Sequence, residues 1–192
     1  MAHDTTSECS FVTDRLTVVP WHGAAEADLT IADAVEASEI DPFDAVAAVL
    51  TERTTEWLPN EWRGNYDRAR AQAWLQERDA ESPTLLIIDR GLGSAVGLLI
   101  LFETTMPGTT LDLDVRFGYV LAEPVWGSGL ATELVAGLVT WARSQPRIRF
   151  LTGGVALENA ASARVLEKNG FVGSEPRDGE RTYELDVARR AD

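Results

Sequence analysis

The chain has 192 residues, an apolar fraction of 45% and a formal net charge of −14 at pH 7. Its length is enough for one buried core, its apolar content excludes a disordered chain, and its negative charge argues against nucleic acid as a partner. No apolar run reaches the roughly 20 residues of a membrane span, and the N-terminus lacks the layout of a secretion signal. A membrane partner is therefore not expected.

The charge distribution and the single cysteine give two further expectations. The first 82 residues carry 17 acidic and 6 basic side chains. A field of this sign concentrates cationic ligands, although acidity can also serve only to keep a protein in solution. Cys9 cannot form an internal disulfide, which fits a reducing cytoplasm. It lies in a polar segment, residues 1–10, that we interpret as a disordered leader, so we expect a surface thiol.

The rest of the chain predicts a single domain at residues 11–188 and a short tail at residues 189–192. Apolar periodicity and turn residues predict the following elements in chain order. They are a strand at 15–21, helical segments within 24–58 that break near 41–42, a helix at 66–79, strands at 84–89, 96–103 and 112–121, a helix at 126–144, a strand at 149–156, a helix at 159–169 and a strand at 182–187. This order is typical of an α/β (α+β) fold with a mixed sheet.

The most informative segment joins the fourth predicted strand to the next helix. It reads Trp126-Gly127-Ser128-Gly129-Leu130-Ala131-Thr132. The first amides of a helix have no partner within it and lie at the positive end of the helix dipole. Glycines allow the backbone to approach a ligand closely. The segment therefore predicts a binding site for a phosphate or diphosphate group.

Two other phosphate-binding motifs fit this segment poorly. A dinucleotide fingerprint follows its strand directly and has an acidic residue about 20 positions later. Here residues 123–126 intervene, and residues 148–151 contain no acidic side chain. The Gly-Lys-Ser/Thr sequence of a P-loop is also absent.

A second motif, Asn159-Ala-Ala-Ser-Ala-Arg-Val-Leu-Glu-Lys-Asn-Gly170-Phe171, follows at the next predicted helix. The two motifs together resemble those of GNAT superfamily N-acetyltransferases, in the branch of RimJ and RimL. The resemblance extends over about residues 15–186, with Trp126 where most of the family has Arg or Gln. It implies a GNAT fold, in which a mixed, mostly antiparallel sheet is flanked by helices and splits between the fourth and fifth predicted strands.

The resemblance also implies acetyl-CoA as the cofactor. Its diphosphate would lie on the amides of the glycine segment, and its pantetheine would pair with the end of the fourth strand. Asn159 would bind the pantetheine or serve only as a helix N-cap, and Arg164 and Lys168 would meet phosphates or remain solvated. The implied cofactor-binding residues are Val120, Leu121, Ala122, Trp126, Gly127, Ser128, Gly129, Leu130, Ala131, Thr132, Asn159, Ser162, Arg164 and Lys168. No metal site is expected.

The same resemblance suggests how the departing thiolate is stabilised. Many family members use a tyrosine at the position of Leu166. Ser162 matches a serine that the Rim-type branch places near the CoA sulfur, so we assign it as catalytic. The alternative is that Ser162 is only a small packing residue.

The general base is harder to assign. Asp112 and Asp114 share one face of the fourth strand, and we assign Asp114 as the base and Asp112 to acceptor binding. Arg116 stands where relatives often have an acidic residue, and Gly154 stands where some ribosomal-protein acetyltransferases have a glutamate. Glu103 is a further candidate, and each carboxylate can instead be a solvated strand end.

The acceptor is expected to be an amine. At pH 7, deprotonation costs about 4 kcal/mol for a lysine amine of pKa about 10.4 and about 1 kcal/mol for an α-amine of pKa about 7.7–8.0. Without a clear base we favour the N-terminal α-amine of a protein or peptide. In the family the early helices cover the acceptor, so Trp57 and Trp62 would contact a cationic, partly apolar group.

Three alternatives remain open at this point. The acceptor could be a small cationic amine, such as a polyamine or an aminoglycoside-like molecule. The acyl group could be longer, such as succinyl. The domain could also bind acyl-CoA without catalysis. Relatives commonly form dimers, so a homodimer is a further expectation by analogy.

Overall fold

The structure is a computed structural model that describes residues 6, 9–22, 40–106, 108 and 112–188. These residues form eight strands and four α-helices. The strands are Phe11–Val12 (β1), Leu16–Pro20 (β2), Thr84–Asp89 (β3), Ser94–Thr105 (β4), Leu113–Leu121 (β5), Ile148–Ala156 (β6), Val172–Gly173 (β7) and Glu180–Asp186 (β8). The helices are Pro42–Val49 (α1), Arg68–Asp79 (α2), Leu130–Ser144 (α3) and Ala160–Lys168 (α4).

The strands form one sheet in the order β1-β2-β3-β4-β5-β6-β8-β7. All neighbouring strands are antiparallel except β5 and β6, which are parallel. The pairing of β5 with β6 ends at Arg116 and Thr152, yet β5 continues to Leu121 and β6 to Ala156. The sheet therefore splits between the fourth and fifth predicted strands, and the predicted fold is confirmed.

The sheet separates two apolar cores. On one face, α3 and α4 cover the central strands, and this core includes Val115, Leu138 and Leu166. On the other face, α1 and α2 form a second core that includes Leu75 and Leu86. Each fully buried side chain of this size contributes roughly 1.5–3 kcal/mol to stability. The first core extends from β5 across to β6 and β8, whereas the second contains no residue of β6 or β8.

Two helix predictions need correction. Much of the predicted helical region 24–58 lies outside the described residues, and residues 51–58 form turns. They do so because threonine hydroxyls bond the backbone locally; for example, Thr54 Oγ1 donates to the Val49 carbonyl at 2.6 Å. The predicted helix at 126–144 begins only at Leu130, since Gly127 and Gly129 adopt positive φ of 73° and 86°.

The expectation of a surface thiol is wrong. The Cys9 side chain is fully buried in the core under α3, and this burial raises the pKa of its thiol. Thr6 is buried as well. The rest of the predicted leader apart from Ser10, and the predicted tail at 189–192, lie outside the described residues.

Candidate active site

A cleft of about 430 Å³ opens where β5 and β6 separate. This volume is typical of a small-molecule site. The end of β5, the glycine turn, α4 and the turn segment 53–58 form its walls. The predicted cofactor residues that line it are Val120, Leu121, Trp126, Gly127, Gly129, Leu130, Ala131, Thr132, Asn159, Ser162, Arg164 and Lys168. The other two predicted residues, Ala122 and Ser128, are not part of the lining.

The glycine turn presents main-chain donors to the cleft. Gly129 precedes α3 in a left-handed conformation, and no side chain caps the helix. The amides of Leu130, Ala131 and Thr132 have no acceptor among the described residues. Helix N-terminal amides of this kind bind anions. Ser128 instead turns its hydroxyl to the Val125 carbonyl, at 2.6 Å.

An ion pair holds the glycine turn in place. Arg15 Nε lies 2.6 Å from Glu133 Oε2 on the first turn of α3, and Arg15 Nη1 donates to the Ser128 carbonyl at 3.0 Å. Burial raises the pKa of Glu133, but hydrogen bonds from Thr13 and Arg15 outweigh it and hold the pKa below its usual value. Glu133 therefore stays ionised and fixes the start of α3 to the turn before β2.

The Trp126 side chain connects the glycine turn to the end of β5 through a hydrogen bond. Its Nε1 donates to the Leu121 carbonyl at 2.7 Å, so this carbonyl already has one partner. Arg53 lies over the Trp126 ring, 5.3 Å from its centroid, and forms a 2.8 Å ion pair with Glu123. The sequence analysis missed Arg53, since no local pattern links residues 70 positions apart.

Asn159 and Ser162 both line the cleft at the start of α4. Asn159 Oδ1 accepts a hydrogen bond from the Ser162 amide at 3.1 Å, so Asn159 is the N-cap of α4. Its Nδ2 has no acceptor within the described part of the chain and can donate to a bound amide carbonyl. Arg164 and Lys168 follow on α4 and make this wall of the cleft positive.

Tyr119 is a cleft residue that the sequence analysis missed. Its hydroxyl donates to Ser162 Oγ at 3.4 Å. Burial raises the pKa of Tyr119, and the hydrogen bond with Ser162 offsets only part of this effect. Leu166, at the position of the family tyrosine, is buried in the core.

The predicted acidic residues are not in the cleft. Asp114 lies five residues before Tyr119, about 17 Å along an extended strand, and its carboxylate accepts a hydrogen bond from Thr152 Oγ1 at 2.6 Å. Asp112 precedes β5 and is exposed. Glu103 accepts a hydrogen bond from the Thr6 amide. A base must come within hydrogen-bond reach of its proton, directly or through one water, so this geometry does not support Asp114 as the base.

The two tryptophans of the early turns have different environments. Trp57 is half-exposed and lines the cleft. Trp62 instead packs edge-to-face against Trp74, with ring centroids 5.6 Å apart, and it does not reach the cleft. The structure therefore brings only Trp57 to the place where an acceptor would enter.

A carboxylate from β8 lies beside the split, on the sheet face opposite Tyr119. Gly118 and Gly154 stand two residues beyond the last pair of β5 and β6, on this face, and both are exposed. A Cβ at Gly118 would meet nothing within 4 Å, whereas a Cβ at Gly154 would overlap the Glu180 carboxylate. Among the described residues, none forms a hydrogen bond or ion pair with that carboxylate. The sequence analysis missed Glu180, which precedes the strand it predicted.

A family model for the acetyltransferase (GNAT) domain matches residues 29–172. The chain belongs to the GNAT acetyltransferase family. It is therefore an acyltransferase that uses acetyl-CoA. Within the described part of the chain, no helix is long and apolar enough to cross a membrane. No curated protein matches the chain in sequence.

Solved structures of acetyltransferases share this fold. An acetyltransferase of the GNAT family from Bacillus anthracis is similar with a TM-score of 0.68 and 13% identity, covering 94% of this chain and 100% of its own. RimL, a ribosomal L7/L12 α-N-protein acetyltransferase in complex with CoA, is similar with a TM-score of 0.63 and 16% identity, covering 91% of this chain and 96% of its own. The ribosomal-protein-S5-alanine acetyltransferase from Vibrio fischeri is similar with a TM-score of 0.61 and 14% identity, covering 94% of this chain and 97% of its own. At these identities the likeness shows the fold alone.

Proposed function

We propose that this acetyltransferase acts in the cytoplasm on a primary amine, and that its favoured acceptor is the N-terminal α-amine of a protein or peptide. One observation carries the choice of acceptor. Among the described residues that line the cleft there is no Asp, Glu or His. An α-amine costs about 3 kcal/mol less to deprotonate at pH 7 than a lysine side chain, so it suits a cleft without a strong base.

The cofactor is proposed to lie along the wall formed by the glycine turn and α4, which we call the cofactor side. The diphosphate would accept hydrogen bonds from the amides of Leu130 to Thr132. Arg164 and Lys168 would neutralise the phosphates. Asn159 Nδ2 would donate to the pantetheine, which places the thioester near Ser162.

The acceptor is proposed to enter from the other face of the split, which we call the acceptor side. It consists of Trp57, Gly118, Gly154 and Glu180. The two glycines leave an open floor, and the half-exposed Trp57 offers a ring to an apolar or cationic group. Glu180 is the carboxylate beside this floor and would attract the protonated amine. RimL and the S5-alanine enzyme, both acetyltransferases of ribosomal proteins, support this acceptor class.

The transfer then needs few groups from the protein. The neutral amine attacks the thioester carbonyl, and its proton passes to water. The tetrahedral intermediate expels the sulfur, which leaves with the C–S electron pair as a thiolate. The Ser162 hydroxyl donates a hydrogen bond to that thiolate. Acetylated amine and CoA are the products.

The decisive experiment measures thiol release from acetyl-CoA with matched acceptors. Peptides with a free N-terminus and no lysine should react, whereas the same peptides with a blocked N-terminus and one lysine should not. Turnover only with polyamines or aminoglycosides would overturn the peptide assignment. Turnover only with succinyl-CoA would change the acyl group, and CoA binding without any turnover would indicate a non-catalytic module.

The acidic first half of the chain favours a second candidate, a small cationic amine. Glu52, Glu56 and Glu123 line a hollow next to the cleft together with Arg63 and with Arg53, which also lines the cleft. Three carboxylates against two guanidinium groups leave the hollow with one excess negative charge. Such a rim attracts polycations. The same assay with spermidine tests this candidate.

A further inference from the structure

The Ser162 hydroxyl differs from those of Thr140 and Ser144, which lie farther along a helix. Thr140 and Ser144 on α3 both donate to a carbonyl of their own helix, at 2.9 Å and 2.6 Å. Such bonds to the preceding turn are usual for Ser and Thr in helices. Ser162 makes no such bond within the described residues; its Oγ instead accepts from Tyr119. The proton of Ser162 is thus not used within α4.

The Tyr119 hydroxyl is the donor in its contact with Ser162. Tyr119 comes from β5 on the face that carries Val115 and Phe117, and its ring packs against the core under α4. Burial keeps the phenol protonated, because the charged form would lose its hydration. A serine oxygen that accepts one hydrogen bond still has its own proton to donate. The donation from Tyr119 therefore turns the Ser162 proton away from Tyr119.

We infer that Tyr119 is a positioning residue that directs the Ser162 hydroxyl toward the cofactor sulfur. This inference rests on the proposed function, in which the thioester lies near Ser162. Tyr119 gives up no proton in the reaction. It polarises and orients Ser162, which donates to the thiolate as the C–S bond breaks. Chains of hydrogen bonds strengthen one another in this way.

The effect can be measured on bound CoA without turnover. The ultraviolet absorbance of the thiolate, followed against pH, gives the pKa of the bound thiol. In the unmodified protein this pKa should lie below that of free CoA. Tyr119→Phe, which keeps the ring, should raise it by about one unit, a tenfold change in ionisation. Ser162→Ala should raise it at least as far.

The double variant separates positioning from an independent effect. Tyr119→Phe should have no further effect in the Ser162→Ala background, in either the thiol pKa or kcat, since the two groups act as a unit. Tyr183→Phe is the matched control. The Tyr183 hydroxyl also donates to a side chain of α4, Glu167, at 3.3 Å, but Tyr183 does not line the cleft. It should leave both quantities unchanged.

The outcomes are distinct. If Ser162→Ala raises the thiol pKa and Tyr119→Phe does not, this inference alone is overturned. The inference would also be overturned if the two substitutions changed the thiol pKa and kcat by equal amounts that add in the double variant. If the unmodified protein does not bind CoA, or binds it and transfers no acetyl group to any amine, the proposed function fails and the inference fails with it.

Discussion

The two sides of the split are built in different ways. The cofactor side uses two short runs of the sequence: the glycine turn with the first turn of α3, and the N-cap and turns of α4. Its first run offers main-chain amides, which any sequence supplies once the turn forms, and its second run adds the side chains of Asn159, Arg164 and Lys168. The acceptor side takes side chains from distant parts of the chain, such as Trp57 and Glu180. The cofactor site therefore depends first on the shape of one local backbone segment, whereas the acceptor site depends on side chains that only tertiary packing brings together.

The largest effect that would test this contrast is expected at Gly129, on CoA affinity. A β-branched side chain at its φ of 86° is strained, so Gly129→Val should distort the turn and lower CoA affinity by about a hundredfold or more in calorimetry. Gly93→Val is the control, because Gly93 also has a positive φ, of 62°, but lies in the hairpin between β3 and β4. Unchanged CoA affinity in Gly129→Val would contradict the phosphate site.

The next largest effect is expected at Ser162. Loss of one hydrogen bond to a developing negative charge costs roughly 10²–10³ in kcat in comparable sites. Ser162→Ala should therefore lower kcat far more than CoA affinity. Ser144→Ala removes a hydroxyl from α3 outside the cleft and should change neither. Equal loss of kcat and affinity would mean that Ser162 serves in packing.

On the acceptor side, removal of the Glu180 charge should have a smaller effect, on the KM for the amine. Glu180→Gln should raise KM for a peptide amine roughly fivefold, since it removes one charge attraction near the protein surface, and should leave CoA affinity unchanged. Gly154→Ala should act in the same direction, because its methyl group displaces the Glu180 carboxylate.

Glu184→Gln is the control for this pair of variants. Glu184 is exposed on the same face of β8, opposite Thr152 and away from the split. A rise in KM that is equal for Glu184→Gln and Glu180→Gln would indicate a diffuse field in place of a specific carboxylate.

The smallest effect concerns the ion pair beneath the glycine turn. Since folding lowers the pKa of Glu133, its carboxylate stabilises the fold above its unfolded pKa, about 4.3. This stabilisation is lost as the pH falls through the lower folded value. Glu133→Gln should therefore lower Tm by about 2 °C at pH 7 and by less at pH 3. If the Tm difference between the unmodified protein and Glu133→Gln grew toward pH 3, it would contradict the lowered pKa of Glu133.

The cofactor side could be predicted from the sequence because its residues lie in two short runs, each with a local signal. The glycines, the helix start and Asn159 carry local signals, and the structure places them in one cleft. Tyr119 also had a signal, since strand alternation puts it on the same face as Val115. The assignment of Asp114 as the base used only the face of the strand on which it lies. It did not consider how far along the strand Asp114 lies from the cleft.

The acceptor side could not be predicted in the same way. Glu180 lies next to Gly154 only because β8 pairs with β6, and Arg53 lies next to Glu123 only because the turn after α1 contacts the segment after β5. Such neighbours are set by tertiary packing. Trp62 shows the same limit, because its partner Trp74 comes from α2.

The burial of Cys9 makes the catalytic assay unusually clean. Cys9 is the chain's one cysteine, and its side chain has no solvent exposure in the folded protein. A colorimetric thiol reagent added during turnover will therefore count CoA alone. The same reagent, added without substrate while the protein is heated, will report when the segment before β1 detaches from α3.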